Sequence, residues 1–144
     1  MTSNGNIVSS GIMDGKNFIG QWLFYHKNSD KVMIEENYNT NGELEGLRNV
    51  FFTNGVTAES AEYKSGKKNG ILKIYSQSSK LLQESVYYGD KLNGKTTYYD
   101  LNGGIEATGN FNANLKTGVW EYFKNGKLTR KVDHDNNKVL YKQQ

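Results

Sequence analysis

The chain has 144 residues, a formal net charge of +3 at pH 7 and a hydrophobic content of 35%, with neither cysteine nor proline. That hydrophobic share lies below the roughly 45–50% of ordinary globular proteins and favours a thin structure over a two-layer sandwich. The 18 basic and 15 acidic residues are interspersed, so no basic cluster predicts nucleic-acid binding. The absence of cysteine excludes disulfides, zinc–thiolate sites and thiol nucleophiles together.

No stretch approaches the roughly 18 consecutive apolar residues of a membrane-spanning helix. The N-terminal residues are polar and contain no apolar core of a signal peptide. If the natural protein is exported, this chain is therefore its mature part. The compartment stays open between the cytoplasm and, after removal of an export signal, the periplasm or the extracellular space.

In chain order, the sequence is a series of repeats within a single domain, 1–144. It begins inside a partial repeat, 4–19, in which Asn4-Gly5 aligns with the later Asn102-Gly103. The segment 133–144 departs from the repeat and predicts a turn followed by a capping strand. Between them, full repeats begin at glycines spaced 26, 24, 24 and 24 residues apart, which are Gly20, Gly46, Gly70, Gly94 and Gly118.

Each repeat predicts a β-hairpin. An aromatic residue stands five positions after the glycine, a turn pair and an aliphatic residue follow, and in all but the last unit another aromatic completes it. Asn-Gly between two apolar runs favours a type I′ turn. The unit from Gly20 is longer and predicts a bulge or a wider loop, and Ser78-Ser79 in place of Asn-Gly predicts a longer turn or one of another type. The turn pairs are Ser29-Asp30, Asn54-Gly55, Ser78-Ser79, Asn102-Gly103 and Asn125-Gly126.

The predicted fold class is all-β: an elongated single-layer antiparallel sheet of about five consecutive hairpin repeats of about 24 residues. No segment has a helical period. Alternation along the first strand of each hairpin places residues on two faces, each part apolar and part polar. A single hairpin is marginal alone, so we expect the aromatic residues to stack from repeat to repeat and stabilise the array.

The pattern Gly-x-Trp-x-x-Phe/Tyr, Asn-Gly-x-Leu, as in Gly118 to Leu128, followed elsewhere by Tyr-x-x-Gly-x-x-x-Gly, resembles the MORN repeat (membrane occupation and recognition nexus). It is most similar to the bacterial variant grouped with antitoxin components of toxin–antitoxin systems. The resemblance extends over residues 4–132. It implies an elongated sheet of hairpins, no catalytic apparatus, and a role in binding proteins, scaffolding or contacting lipids. It carries no ligand-binding residue over to this chain.

No group of residues predicts chemistry, so we expect no enzyme activity, no cofactor and no metal. Asp133-His134-Asp135 does not supply converging ligands, and His26 is expected to be solvated. The acidic residues of the second strands follow the repeat, and nearby lysines suggest cross-strand charge pairs rather than catalysis. Those acidic residues are Glu35, Glu36, Glu59, Glu62, Glu84 and Glu106, and the lysines are Lys31, Lys64, Lys80 and Lys127.

The sequence therefore predicts a non-enzymatic repeat scaffold that binds a protein partner. Two alternatives remain: an antitoxin or immunity protein that neutralises one cognate toxin, and a surface protein that contacts lipid or glycan. Aromatic side chains interleaved with arginine could stack on a ligand, although a structural ladder explains them too. The candidate interaction face consists of Trp22, Phe24, Arg48, Tyr98, Trp120 and Tyr122.

Overall fold

The structure, a computed structural model, describes residues 1–3 and 6–144, and over these residues it contains β-strands and turns but no helix. Twelve consecutive strands form one open antiparallel sheet, in which each strand pairs with its neighbours in sequence. A separate two-stranded pair, β1 (Thr2–Ser3) and β2 (Asn6–Ile7), precedes it. The twelve strands are β3 (Ser9–Asp14), β4 (Asn17–Tyr25), β5 (Val32–Tyr38), β6 (Gly46–Phe51), β7 (Thr57–Lys64), β8 (Lys67–Tyr75), β9 (Leu81–Tyr88), β10 (Lys91–Tyr99), β11 (Ile105–Asn112), β12 (Leu115–Lys124), β13 (Lys127–Asp133) and β14 (Lys138–Lys142).

This arrangement confirms the predicted single-layer sheet of successive hairpins. Twelve strands at about 4.8 Å spacing extend over about 50 Å, whereas a strand of ten residues is only about 33 Å long. The sheet is therefore longer across its strands than along them. β14 pairs with β13 at one edge. The turn predicted at Asn4-Gly5 lies outside the described residues.

The turns within hairpins differ from the prediction. Only Asn125-Gly126 has positive φ at both residues, 50° and 73°, as a type I′ turn requires. At Asn54-Gly55 only the glycine is left-handed, with φ of 85°, and the Phe52 N–H donates to Val56 O at 2.8 Å around a three-residue loop. The type I′ prediction is wrong there and at Asn102-Gly103, because one extra loop residue needs only one left-handed position.

The two turns that lack Asn-Gly also close with a single left-handed residue each. Ser79 takes the place of the left-handed glycine, with φ of 63°, and closes the loop from Ser76 to Lys80. The turn from His26 to Lys31 is one residue longer and has Asn28 at φ of 55°. Besides Asn125-Gly126, three two-residue turns of the described chain have both φ values positive. All three join one hairpin to the next, and they are Ser65-Gly66, Gly89-Asp90 and Ala113-Asn114.

Four of the five repeat glycines occupy bulges in the first strand of their hairpin, and they are Gly20, Gly70, Gly94 and Gly118. All five have positive φ, between 61° and 128°, a conformation that favours glycine. At Gly118 the register against β11 breaks, so that residues 118–120 lie opposite Gly109 alone. Equivalent breaks occur in β4, β8 and β10. Bulges bend strands and increase local twist, so the glycine period sets the curvature of the sheet.

One face of the sheet forms the core, and we call it the inner face. Its central row consists of five pairs, each made by the second strand of one unit and the first strand of the next. In each pair the two side chains complement each other: a glycine faces tryptophan, a carboxylate faces arginine, alanine faces leucine, and serine bonds threonine. The pairs are Gly11–Trp22, Glu36–Arg48, Ala61–Leu72, Ser85–Thr96 and Gly109–Trp120.

Candidate functional site

All six residues of the predicted interaction face project from the inner face. Trp22, Arg48 and Trp120 belong to the central row, and Phe24, Tyr98 and Tyr122 belong to the row beside it. The structure therefore places them on one face, as alternation predicts, but separates them along its length.

The two tryptophans are core residues. Trp22 is 2% exposed and Trp120 is fully buried, and each indole N–H donates to a backbone carbonyl, of Ile12 at 2.9 Å and of Asn110 at 3.0 Å. Each ring lies over a glycine of the preceding strand. Because the rings are covered and their polar atoms are satisfied, the tryptophans are not available to a partner.

Neighbouring side chains close the inner face around Trp120. Phe111 packs edge-on at 5.1 Å between ring centroids, and Tyr98 and Tyr122 lie at 6.5 and 6.3 Å. Lys116 places its Nζ 4.4 Å from the indole centroid, a cation–π geometry. At the other end of the sheet, Phe18 stacks on Trp22 at 3.9 Å.

Arg48 is held in a polar network that interrupts the apolar core. Its Nε donates to Glu36 Oε1 at 2.7 Å, and its Nη1 lies 3.8 Å from Glu59 Oε1. Glu36 is only 8% exposed and also accepts a hydrogen bond from the Tyr38 hydroxyl. Arg48 and Tyr38 both donate hydrogen bonds to the buried Glu36 carboxylate. The network therefore specifies the local packing.

Burial raises the pKa of the Tyr38 hydroxyl far above its usual range, and the hydrogen bond to Glu36 adds to the effect. Burial likewise raises the pKa of Tyr63 and of Tyr87. These tyrosines lie opposite the repeat glycines of β4, β6 and β8. The hydroxyls stay neutral at physiological pH and serve packing.

The histidines lie apart, and the part of the chain that the structure describes holds no group of three or more potential metal ligands. His26 is half-buried and its Nε2 lies 3.1 Å from Phe51 O, so the expectation that it is solvated is wrong. His134 packs edge-on against Trp120 at 6.3 Å. Asp133 accepts hydrogen bonds from Asn136 and Asp135, and these lower its pKa; it therefore organises the turn before β14.

The opposite face, which we call the outer face, carries charge pairs along its middle. Lys73 bonds Glu84 at 3.4 Å and Lys131 bonds Glu121 at 2.6 Å. Cross-strand pairing of acids with lysines is thus present, but with other lysines than those nearest in sequence. Glu62 has a different role, since its carboxylate accepts the Ile71 N–H inside the bulge at 2.7 Å.

A continuous row of apolar side chains runs along the outer face beside the hairpin turns. Its aromatic members stand five residues after each repeat glycine, and each pairs with the first or second residue of the next strand. Nine of the ten are half-buried and Ile105 is 39% exposed. This row, the outer stripe, crosses β4 to β13 and comprises Tyr25, Val32, Phe51, Thr57, Tyr75, Leu81, Tyr99, Ile105, Phe123 and Leu128.

Two grooves each lie beside one aromatic residue of the outer stripe. The larger has a volume of about 530 Å³ and lies against Tyr75, with Asn49, Thr57 and Ser60 among its lining residues. A second groove of about 430 Å³ lies against Tyr25. The aromatic period that forms this stripe is visible in the sequence. The predicted interaction face nevertheless lay on the opposite side of the sheet, in the rows that contain the tryptophans.

No protein-family model matches this chain, and no curated protein matches it. Among solved structures, it is similar to a crystal structure of an S. aureus TarM mutant with fondaparinux, α-GlcNAc-glycerol and UDP, with a TM-score of 0.46 and 10% identity. A second crystal structure of TarM gives a TM-score of 0.45 and 11% identity. The matches cover 67% and 68% of this chain but only 20% of each TarM chain, and likeness at this level carries no inference. The described residues also contain no helix long and apolar enough to cross a membrane.

Proposed function

We propose that this chain is a non-enzymatic repeat scaffold that binds a protein partner through the outer stripe of its sheet. The observation that carries the proposal is the stripe itself, a row of half-buried side chains across ten strands, nine of them apolar, that no other element of the described chain covers. Exposed apolar surface rimmed by polar residues is typical of interaction sites. The inner face is less suited to binding a partner, because its tryptophans are buried in the core.

We further propose that the units are MORN-type repeats of the bacterial variant. The 24-residue period, the bulge glycine and the hairpin in each unit support this assignment. On that view the narrower role is that of an antitoxin or immunity protein bound one-to-one to a cognate toxin. A contact with glycan is the second candidate, favoured by Tyr75 beside Asn49 and Ser60 in the larger groove.

The proposal is tested by affinity capture from lysate and envelope fractions of the source organism, with bound proteins identified by mass spectrometry. Tyr75→Ala/Tyr99→Ala removes two stripe aromatics, and Tyr88→Ala is the matched control, since Tyr88 is 71% exposed but lies off the stripe. We expect one dominant protein, retained by the control and lost by the double variant. Equal capture by all forms, or turnover of a substrate by the purified protein, would contradict the proposal.

A further inference from the structure

A third groove opens at the rim of the outer face, beside the turn that joins β7 to β8, and we call it the rim groove. Its volume is about 400 Å³, within the range of small-molecule sites. It is separate from the outer stripe, because Lys67 and Tyr75 stand at opposite ends of β8, about 26 Å apart. The residues that line it are Lys64, Ser65, Lys67, Asn69, Tyr88 and Gly89.

The side chains of the rim groove come from three neighbouring strands. Lys64 of β7 stands directly opposite Lys67 of β8, and alternation places Asn69 on the same face as Lys67. Tyr88 forms the wall on β9 and is 71% exposed. The groove thus has two lysines and an amide beside one open aromatic ring.

The charge of the rim groove is not neutralised from within. Like charges directly opposite each other destabilise a sheet, and neither Lys64 nor Lys67 belongs to an ion pair among the described residues. No carboxylate lines the groove. The carboxylates of this rim bond backbone N–H groups instead, Glu45 that of Ser65, Glu62 that of Ile71 and Asp90 that of Lys68. The groove therefore favours an anionic ligand.

The uncharged groups of the rim groove narrow the class of anion. The Asn69 amide and the Ser65 hydroxyl both donate and accept hydrogen bonds, as sugar hydroxyls require, and the Tyr88 ring offers a flat apolar surface to the face of a sugar. Single-stranded nucleic acids stack on successive aromatic residues, and anionic membranes attract clusters of about 4–8 basic residues. The groove has one aromatic residue and two lysines, so an acidic sugar fits it better.

We propose that the rim groove binds an acidic oligosaccharide, with a carboxylate or sulfate between Lys64 and Lys67 and a sugar ring against Tyr88. The site goes beyond the proposed protein-binding function, since it uses no residue of the outer stripe. It also differs from the glycan contact considered at Tyr75, which involves no lysine.

The test is isothermal titration calorimetry with an oligogalacturonate and a heparin oligosaccharide, which carry carboxylates and sulfates respectively, and with neutral maltohexaose. We expect an acidic probe to bind and maltohexaose not to bind. Lys64→Glu/Lys67→Glu should weaken binding about tenfold, because two attractions become repulsions. Tyr88→Ala should also weaken it, whereas Tyr88→Phe keeps the ring and should retain it.

The matched control is Lys124→Glu/Lys127→Glu, which makes the same charge change at another pair of exposed, directly opposed lysines. That pair lies at the opposite rim, beyond a Debye length of about 8–10 Å, so affinity should change less than about twofold. Circular dichroism confirms that each variant is folded.

Several results would overturn the inference: no binding of either acidic probe, equal losses in both lysine variants, or inorganic sulfate binding as tightly as the oligosaccharide. Binding lost in Tyr75→Ala but retained in Lys64→Glu/Lys67→Glu would overturn it in favour of the outer stripe. The affinity capture described above decides separately whether a protein partner exists.

Discussion

Gly109→Ala probes the packing of the core most directly. A Cβ at this position would lie 2.5 Å from Cγ of Trp120 and closer still to two other ring atoms, whereas carbon atoms in contact stay about 3.5–4.0 Å apart. The ring must therefore move by about 1 Å or more. Overpacking costs ~1–3 kcal/mol, and weakening of the indole bond to Asn110 adds up to ~1 kcal/mol. We expect the free energy of unfolding to fall by about 3 kcal/mol.

A double-mutant cycle isolates this clash. Gly109→Ala combined with Trp120→Leu recreates the Ala61–Leu72 pair, which lies two pairs away along the central row and in which both side chains are buried. In the Trp120→Leu background the glycine substitution should cost less than about 1 kcal/mol, giving a coupling energy of ~2 kcal/mol. The assay is urea unfolding followed by far-ultraviolet circular dichroism, with the slope checked for two-state behaviour.

The reasoning fails if Gly109→Ala alone costs less than about 0.5 kcal/mol. It also fails if the cost is the same with leucine in place of Trp120, because the clash would then not be with the indole ring.

Three further predictions concern charged and titrating groups. Arg48→Met should destabilise the protein by ~3–5 kcal/mol because it leaves Glu36 buried without its partner, and adding Glu36→Gln should recover part of that loss in the same urea assay. The pKa of Tyr38 lies well above the usual 10.0, so the stability it contributes is complete below that pH and is lost as the pH rises through the higher folded value; in the same urea assay run above pH 10.0, Tyr38→Phe should remove that loss. The pKa of Asp133 lies below its usual 3.8, so its contribution is present above that pH and lost on acidification through the lower folded value; Asp133→Ala should flatten the dependence of the thermal midpoint on pH in this range, and an unchanged slope would contradict the assignment.

At the turns, the local sequence alone does not determine the backbone conformation. Asn54-Gly55 and Asn125-Gly126 are the same dipeptide, yet only the second forms a two-residue type I′ turn. Local propensity permits both conformations. The choice follows from how many residues separate the last paired positions of the flanking strands, Phe51 with Thr57 and Lys124 with Lys127. Register is a property of the assembled hairpin.

The candidate interaction face was only partly predictable for a related reason. Alternation correctly assigns Trp120 and Phe123 to opposite faces, but both faces of the first strands carry aromatic side chains. Nothing in the alternation says which face is covered. Trp120 is buried because Gly109 of the neighbouring strand leaves room beneath its ring, a contact between strands that the chain order alone does not reveal.

The sequence by itself determined that this chain is an all-β array of hairpins with a 24-residue period. It did so because glycine spacing, turn residues and alternation are local properties repeated in every unit. The tertiary structure decided which face became the core and which carries the outer stripe. That choice depends on the complementary pairs that meet across the central row, such as Gly109 with Trp120, and these pairs form only when neighbouring units pack together.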